Sequence, residues 1–189
     1  MKIKFPKTFP TLETERLVLR TLTADDKEGV FQNFSDADVT QYLMPPLTKM
    51  SQAESFINAF VEEFEQGSAL TWAIALKADS VFLGTCSCEI KSAARAELGF
   101  DLSRTHWGQG LMSEALRAVL QFGFEKLELN QIKAHTFLLN HRTIHLLTRL
   151  NFQVDGVLRE NSFVDGKYHD EIFFSVWKNN WLRQQEKPR

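Results

Sequence analysis

Polar and apolar residues alternate over Arg16-Leu17-Val18-Leu19-Arg20, the period of a half-buried strand. Thr23, with Asp26 three residues on, marks a helix start, and Val30, Phe31 and Phe34 fall on its inner side. A short turn or helix over residues 36–43 runs into Pro45-Pro46. Ser51 and Glu54 have capping-box spacing. Behind them Ala53, Phe56, Ile57, Phe60 and Phe64 recur at helical spacing until Gly67 ends the run. Strands are expected over 70–76 and 81–90, joined by Lys77-Ala78-Asp79-Ser80, and over 96–102 after a short link at 91–95.

A helix reaching about Leu127 follows, burying Ala115, Leu116, Val119, Leu120, Phe124 and Leu127. Then come a strand over 132–138 and a short helix from Asn140, an N-cap type, burying Ile144, Leu147 and Leu150. Two long strands, 152–164 and 167–177, flank Asp165-Gly166, a strong hairpin signal. Residues 1–13 read as an irregular lead-in, and 178–189 as a frayed tail or a last helical turn. The order is strand, two helices, three strands, helix, strand, helix, hairpin. It predicts an α/β (α+β) fold with a mixed, mostly antiparallel sheet flanked by helices, not a doubly wound parallel one.

Composition narrows the class. A chain of 189 residues with no repeat or linker suits one domain over 1–189. A net charge of −2 without a basic block argues against nucleic acid as a partner. No apolar run reaches membrane-spanning length, so no membrane partner and a cytoplasmic location are expected. Cys86 and Cys88 read as reduced thiols in a strand, since no metal-ligand set accompanies them and no metal is expected. His141 and His145, four apart on a helix, read as surface histidines for want of a third ligand. His106 is expected to shape its turn or to meet a phosphate. Nothing bears on the oligomeric state.

The segment Trp107-Gly108-Gln109-Gly110-Leu111-Met112-Ser113 joins a strand to a helix. Glycines there let the backbone turn tightly and aim successive N–H groups at an anion, and the helix start adds unpaired N–H groups and partial positive charge. The same glycines can equally serve only the turn. A P-loop needs GxxxxGK[ST], and the dinucleotide fingerprint needs a third Gly; both are absent.

Phe100-Asp101-Leu102 with His106 to Leu116 resembles the acetyl-CoA loop of the GNAT superfamily, in particular its RimJ/RimL-like branch of ribosomal-protein N-terminal acetyltransferases. Asn140-His141-Arg142-Thr143, Leu150-Asn151-Phe152 and Asp165-Gly166-Lys167-Tyr168-His169-Asp170 resemble further boxes of that branch, in order, over residues 12–178. The resemblance implies central strands that splay apart and acetyl-CoA as co-substrate in the gap. Its pyrophosphate would rest on main-chain N–H groups of Gly108, Gln109, Gly110, Leu111, Met112 and Ser113. Phe100 and Leu102 would hold the pantetheine arm by their main chains, and Asn140 and Thr143 would meet it from the next strand's end. Departures are Trp107 and Met112 in the loop, Asn151 for a helix-ending Gly, and Leu147 where many relatives carry a Tyr general acid.

Transfer to an amine needs a proton acceptor, oxyanion donors and a leaving thiolate, with no covalent enzyme intermediate. Glu97, on the strand leading to the loop, reads either as that base or as an exposed carboxylate. Thr143 reads as proton donor, as a CoA contact, or as a first-turn hydroxyl bonded to backbone. A two-residue turn would set Val164 against Lys167, Ser162 against His169 and Glu160 against Glu171. Glu160, His169 and Glu171 would then form a strip facing water or the acceptor's ammonium. The expected activity is N-acetylation of a primary amine, foremost a protein α-amine. A polyamine, amino acid or antibiotic is the nearest alternative acceptor, and a non-catalytic acyl-CoA sensor is the alternative of another class.

Overall fold

The computed structural model describes residues 3–164 and 166–185. Eight strands form one sheet: β1 (Leu12–Glu13), β2 (Leu17–Thr21), β3 (Ala69–Leu76), β4 (Phe82–Ser92), β5 (Arg95–Leu102), β6 (Gln131–Phe137), β7 (Gln153–Val164) and β8 (Lys167–Trp177). Their spatial order is β1-β2-β3-β4-β5-β6-β8-β7. Every neighbouring pair is antiparallel except β5 and β6, which run parallel. That parallel pair forms only at Arg95↔Gln131, Ala96↔Ile132 and Glu97↔Lys133, although both strands continue beyond it. The two strands therefore part above Glu97, as the splayed sheet required.

Alternation along the strands sorts side chains onto two faces. Ala96, Leu98 and Leu102 of β5, Ile132 and Ala134 of β6, and Ile172, Phe174 and Val176 of β8 join the larger core. The helix α4 (Leu111–Glu125) packs there through Ala115, Leu116, Val119, Leu120 and Phe124, all with no exposed surface. The helix α5 (His141–Arg149) adds Leu147, and Leu150 follows at its end. The other face carries a smaller core, in which Ala73 meets Val30 and Phe34 of α1 (Lys27–Ser35) and Ala53 and Ile57 of α3 (Met50–Glu65). Between them the short α2 (Ala37–Thr40) is capped by Asp36, whose Oδ1 accepts the Asp38 N–H at 2.9 Å.

The Thr23/Asp26 box starts the first helical segment as expected. The Ser51/Glu54 box does not start α3. That helix begins at Met50, and Gln52 Oε1 accepts the N–H groups of Thr48 and Lys49, both at 2.9 Å. Gln is as good a closing residue as Glu, and it lies two residues nearer the true start. Two terminal expectations also change. Leu12–Glu13 is a strand paired with β2, and Phe5 and Phe9 pack on Phe64. At the other end α6 (Lys178–Gln185) is a helix anchored by Trp181, which is 2% exposed and lies 6.1 Å from the Phe124 ring centre. A single large apolar residue in a charged stretch was enough to dock the segment. Among the described residues no helix is long and apolar enough to cross a membrane.

Replacing a buried Trp by Ala removes its transfer free energy and leaves a cavity. Trp181→Ala is therefore expected to lower unfolding stability by about 3–5 kcal/mol. Urea unfolding checks this, and a change under about 0.5 kcal/mol, typical of surface positions, would mean that α6 is not docked.

Candidate functional site

A cleft of about 490 Å³ opens where β5 and β6 part. Its walls come from Phe100, Asp101 and Leu102 on β5, the Gly108–Ser113 segment, the Leu139–Thr143 segment at the head of α5, and Tyr42 and Leu43 after α2. Gly108 and Gly110 sit at φ +76 and +77, the left-handed region in which a side chain is strained. A Cβ on Gly108 would meet nothing within 4 Å, so that face of the loop is open. The first main-chain bond of α4 runs from the Glu114 N–H to the Gly110 carbonyl at 3.1 Å. The N–H groups ahead of it have no acceptor within the helix.

The loop is braced from the turn between β1 and β2. Arg16 donates through Nε to Glu114 at 2.7 Å and through a terminal nitrogen to the Gln109 carbonyl at 3.0 Å, and Thr14 donates to the same carboxylate. Partial burial works to raise the Glu114 carboxyl. The bonds from Thr14 and Arg16 outweigh it, and the group rests below the usual carboxylate range. On the other side, Trp107 Nε1 donates to the Leu102 carbonyl at 2.6 Å, and Arg142 lies 3.7 Å over the Trp107 ring. His106, His145 and Arg149 add basic character to the same wall. His106 Nδ1 is 3.0 Å from Thr105 Oγ1, which holds the ring against its turn.

Asn140 caps α5: its Oδ1 accepts the Thr143 N–H at 3.2 Å and its Nδ2 donates to Thr136 Oγ1 at 3.0 Å. Thr143 lines the cleft beside it. Asn151 ends the helix at φ +63, the conformation for which Asn is the next best choice after Gly. Leu147 is completely buried in the core.

The sheet face opposite α4 carries a second set of side chains on β5, β6 and β8. Glu97, His135, Phe137, His169, Glu171 and Phe173 share this face by strand parity and register. Glu97 does not line the cleft itself. Its carboxylate accepts from His135 Nδ1 at 2.7 Å and lies 3.5 Å from Lys91. The His135 bond holds the Glu97 carboxyl below the usual range, and the same bond raises the imidazole. His135 stacks on Phe173 with ring centres 5.2 Å apart, and Phe137 stacks on His169 at 4.9 Å. His135, Phe137 and the Glu97–His135 pair went unnoticed in the sequence. Alternation along 132–138 was the signal that could have put His135 and Phe137 together.

The hairpin register holds at the turn and fails farther out. Val164 faces Lys167 and Ser162 faces His169, with Gly166 at φ +75; Asp165 lies outside the described residues. The next pair is Leu158↔Glu171, so Arg159, Glu160 and Asn161 together oppose Asp170. Glu160 therefore does not face Glu171, and the proposed pair of opposed carboxylates is absent. Its φ of +50 marks the bulge, and its N–H donates to Asp170 Oδ1 at 2.9 Å. The bulge turns Asn161 and Ser162 inward, and both donate to the buried Glu171 carboxylate. His169 and Glu171 remain on the sheet face opposite α4; Glu160 is exposed on the edge strand.

Asp101 is the cleft's buried carboxyl, 7% exposed and bonded by Thr85 and Asn33. Burial raises it from 3.8 to about 6, with the Thr85 and Asn33 bonds pulling the other way. The folded state thus holds this proton more tightly than the unfolded chain. Its contribution is fully present below pH 3.8 and is lost as pH rises through about 6. Asp101→Asn keeps the shape without the ionisation. In urea unfolding it is expected to gain on the wild type as pH rises across that window, by up to about 3 kcal/mol. A stability difference between the two proteins that does not change from pH 4 to 7 would contradict the assignment.

Residues 16–153 match the acetyltransferase (GNAT) domain family. N-acetyltransferase p20 of Bacillus licheniformis is 37% identical over 174 residues, covering 90% of this chain and 98% of that protein. Spermidine N(1)-acetyltransferase of Escherichia coli K12 is 28% identical over 94 residues, half of each chain. Among solved structures, the ribosomal-protein α-N-acetyltransferase RimL in complex with coenzyme A superposes with a TM-score of 0.81 at 18% identity, covering 90% of this chain and 99% of that one.

Proposed function

Because this chain belongs to the GNAT acetyltransferases and is an acetyl-CoA-dependent N-acetyltransferase, we propose that its acceptor is a protein N-terminal α-amine, attacked directly in a ternary complex. The observation that carries the reading is the cleft at the β5–β6 splay, which ends at a left-handed Gly108/Gly110 turn beneath a basic wall, with the part-exposed Glu97–His135 pair where the two strands part.

The residues present suit acetyl-CoA. Main-chain N–H groups from Gly108 to Ser113 would meet the pyrophosphate, with the α4 dipole behind them. Above Glu97 the facing edges of β5 and β6 have no ladder partner. Those edges leave main-chain groups to pair with an amide-bearing arm, as a strand would, near Phe100, Leu102 and Asn140. Thr143, with its N–H spent on Asn140, offers its side chain to the same arm.

Direct attack is supported by the state of the thiols. Cys86 and Cys88 are fully buried; burial lifts Cys88 to about 12 and Cys86 well above its ordinary range. Neither supplies a thiolate for a covalent intermediate. The acceptor side offers the part-exposed Glu97 carboxylate and the Phe173 ring, a surface for an ammonium group. A protein α-amine is the acceptor named for the ribosomal-protein enzyme that shares this fold. A carboxylate also suits a polyamine, and spermidine is the acceptor named for the relative that matches over half of its length.

Two measurements test this. Gly110→Asp places a negative charge at the phosphate turn, and calorimetry is expected to show acetyl-CoA affinity reduced at least about 100-fold, consistent with lost charge-assisted bonds. Unchanged affinity would remove the loop from the binding site. A panel of N-terminal peptides, polyamines and amino acids is expected to give the highest kcat/KM with a peptide. A polyamine ahead of every peptide would transfer the assignment to the small-amine reading.

A further inference from the structure

The established reaction leaves one step without a residue. An amine reaches the site largely as ammonium, since an α-amine has a pKa of ~8, and it must shed a proton before nitrogen can attack. Glu97 is poorly placed to take it. Its carboxylate is already committed to His135 at 2.7 Å and to Lys91 at 3.5 Å, and its side chain is less exposed than that of His135, 27% against 42%.

We propose that His135 is the proton-accepting residue of this transferase and that Glu97 is its positioning residue. Four features of the structure point to the imidazole. His135 lies on β6 two residues past Lys133, the last position paired with β5, so it stands at the mouth of the splay. It lies on the sheet face opposite α4, where its side chain is 42% exposed. Its Nδ1 donates to Glu97, so in the neutral ring Nε2 carries the lone pair. Phe173 stacks on the ring and fixes its plane. A carboxylate that orients an imidazole and stabilises its protonated form is the arrangement that makes histidine an efficient base.

The protons balance. His135 Nε2 takes one proton from the ammonium, directly or through one water. The amine nitrogen then forms the N–C bond at the acetyl carbon as the C–S bond breaks. The second proton shed by nitrogen ends on the departing sulfur, and the imidazolium returns its proton to solvent. This assignment rests on the acceptor being an amine that approaches over this face of the sheet. It does not depend on which amine is used.

The charges around the ring set the direction of its pH response. Glu97 on β5 and Glu171 on β8 favour the imidazolium, Lys91 on β4 opposes it, and Lys133 shares the face on β6 itself. The net effect raises His135 above the ordinary 6.5, and its largest cause is the Glu97 bond. The base form is the neutral ring. Activity is therefore present above the raised value and lost as pH falls through it.

The experiment measures kcat/KM against pH for the fastest acceptor of the panel above, so an error in naming the acceptor does not enter the result. His135→Gln is expected to lower kcat/KM by about 100-fold, within the usual range for a lost general base, with acetyl-CoA affinity unchanged by calorimetry. Glu97→Gln should keep measurable activity and move the acid limb to lower pH. In the wild type the midpoint of that limb should coincide with the His135 titration followed by NMR, a readout that survives if a variant folds poorly. Wild-type kcat/KM in His135→Gln, or an acid limb that Glu97→Gln abolishes and His135→Gln retains, would overturn the proposal. So would an NMR titration of His135 that departs from the limb.

Discussion

The end of the β5–β6 ladder at Glu97↔Lys133 is the constraint from which the rest of the site follows. Parallel neighbours normally stay paired along their shared length, because unpaired main-chain groups are costly once buried. Here two strands diverge while each is still held on its other side, β5 by β4 and β6 by β8. The gap supplies a slot between two sheet edges, and the loop after β5 closes one end of it. Gly84 shows how tightly that half is built: a Cβ there would collide with the Asp101 carbonyl oxygen. β4 can therefore press against β5 just where β5 loses its other partner. Asn33 of α1 and Thr85 of β4 then hold Asp101 from the second face.

The family's activity follows from the slot, and its polarity from what surrounds it. One end is basic, through Arg142, His106, His145 and Arg149, and is stiffened by the Arg16–Glu114 brace. The other end is acidic and aromatic. On the proposed reading, the phosphates of acetyl-CoA would sit at the basic end and the acceptor's ammonium near the acidic one, which would set donor and acceptor in order without any covalent attachment.

Much of this was legible in the sequence because it rests on local chemistry. The strand at Leu17–Thr21, the Thr23/Asp26 start, the Asn140 cap, the left-handed Asn151 and the glycine turn are each set by a few adjacent residues. What failed depends on contacts across the fold. Gln52 rather than Glu54 closes α3, a choice made by where the preceding chain enters. Trp181 docks α6 on Phe124, far away in sequence. Counting outward from a two-residue turn assumes an unbroken ladder, and the bulge at Arg159–Asn161 breaks it within five residues. Glu97 was recognised as a carboxylate near the chemistry, but its partner sits on another strand, and only the parallel register brings His135 to it.

The bulge also bears on how the molecule behaves in company. β7 is the outermost strand of the sheet and is exposed along most of its twelve residues. A straight edge of that length, carrying Val154, Val157 and Leu158 half uncovered, would be a template for stacking chain upon chain. The kink at Glu160 divides the edge into two short pieces out of line with each other, and it sets Arg159 and Glu160 at the break. No incoming strand can follow both pieces without reproducing the same irregularity. The distortion that carries Asn161 and Ser162 to Glu171 thereby serves as the sheet's guard against filament growth.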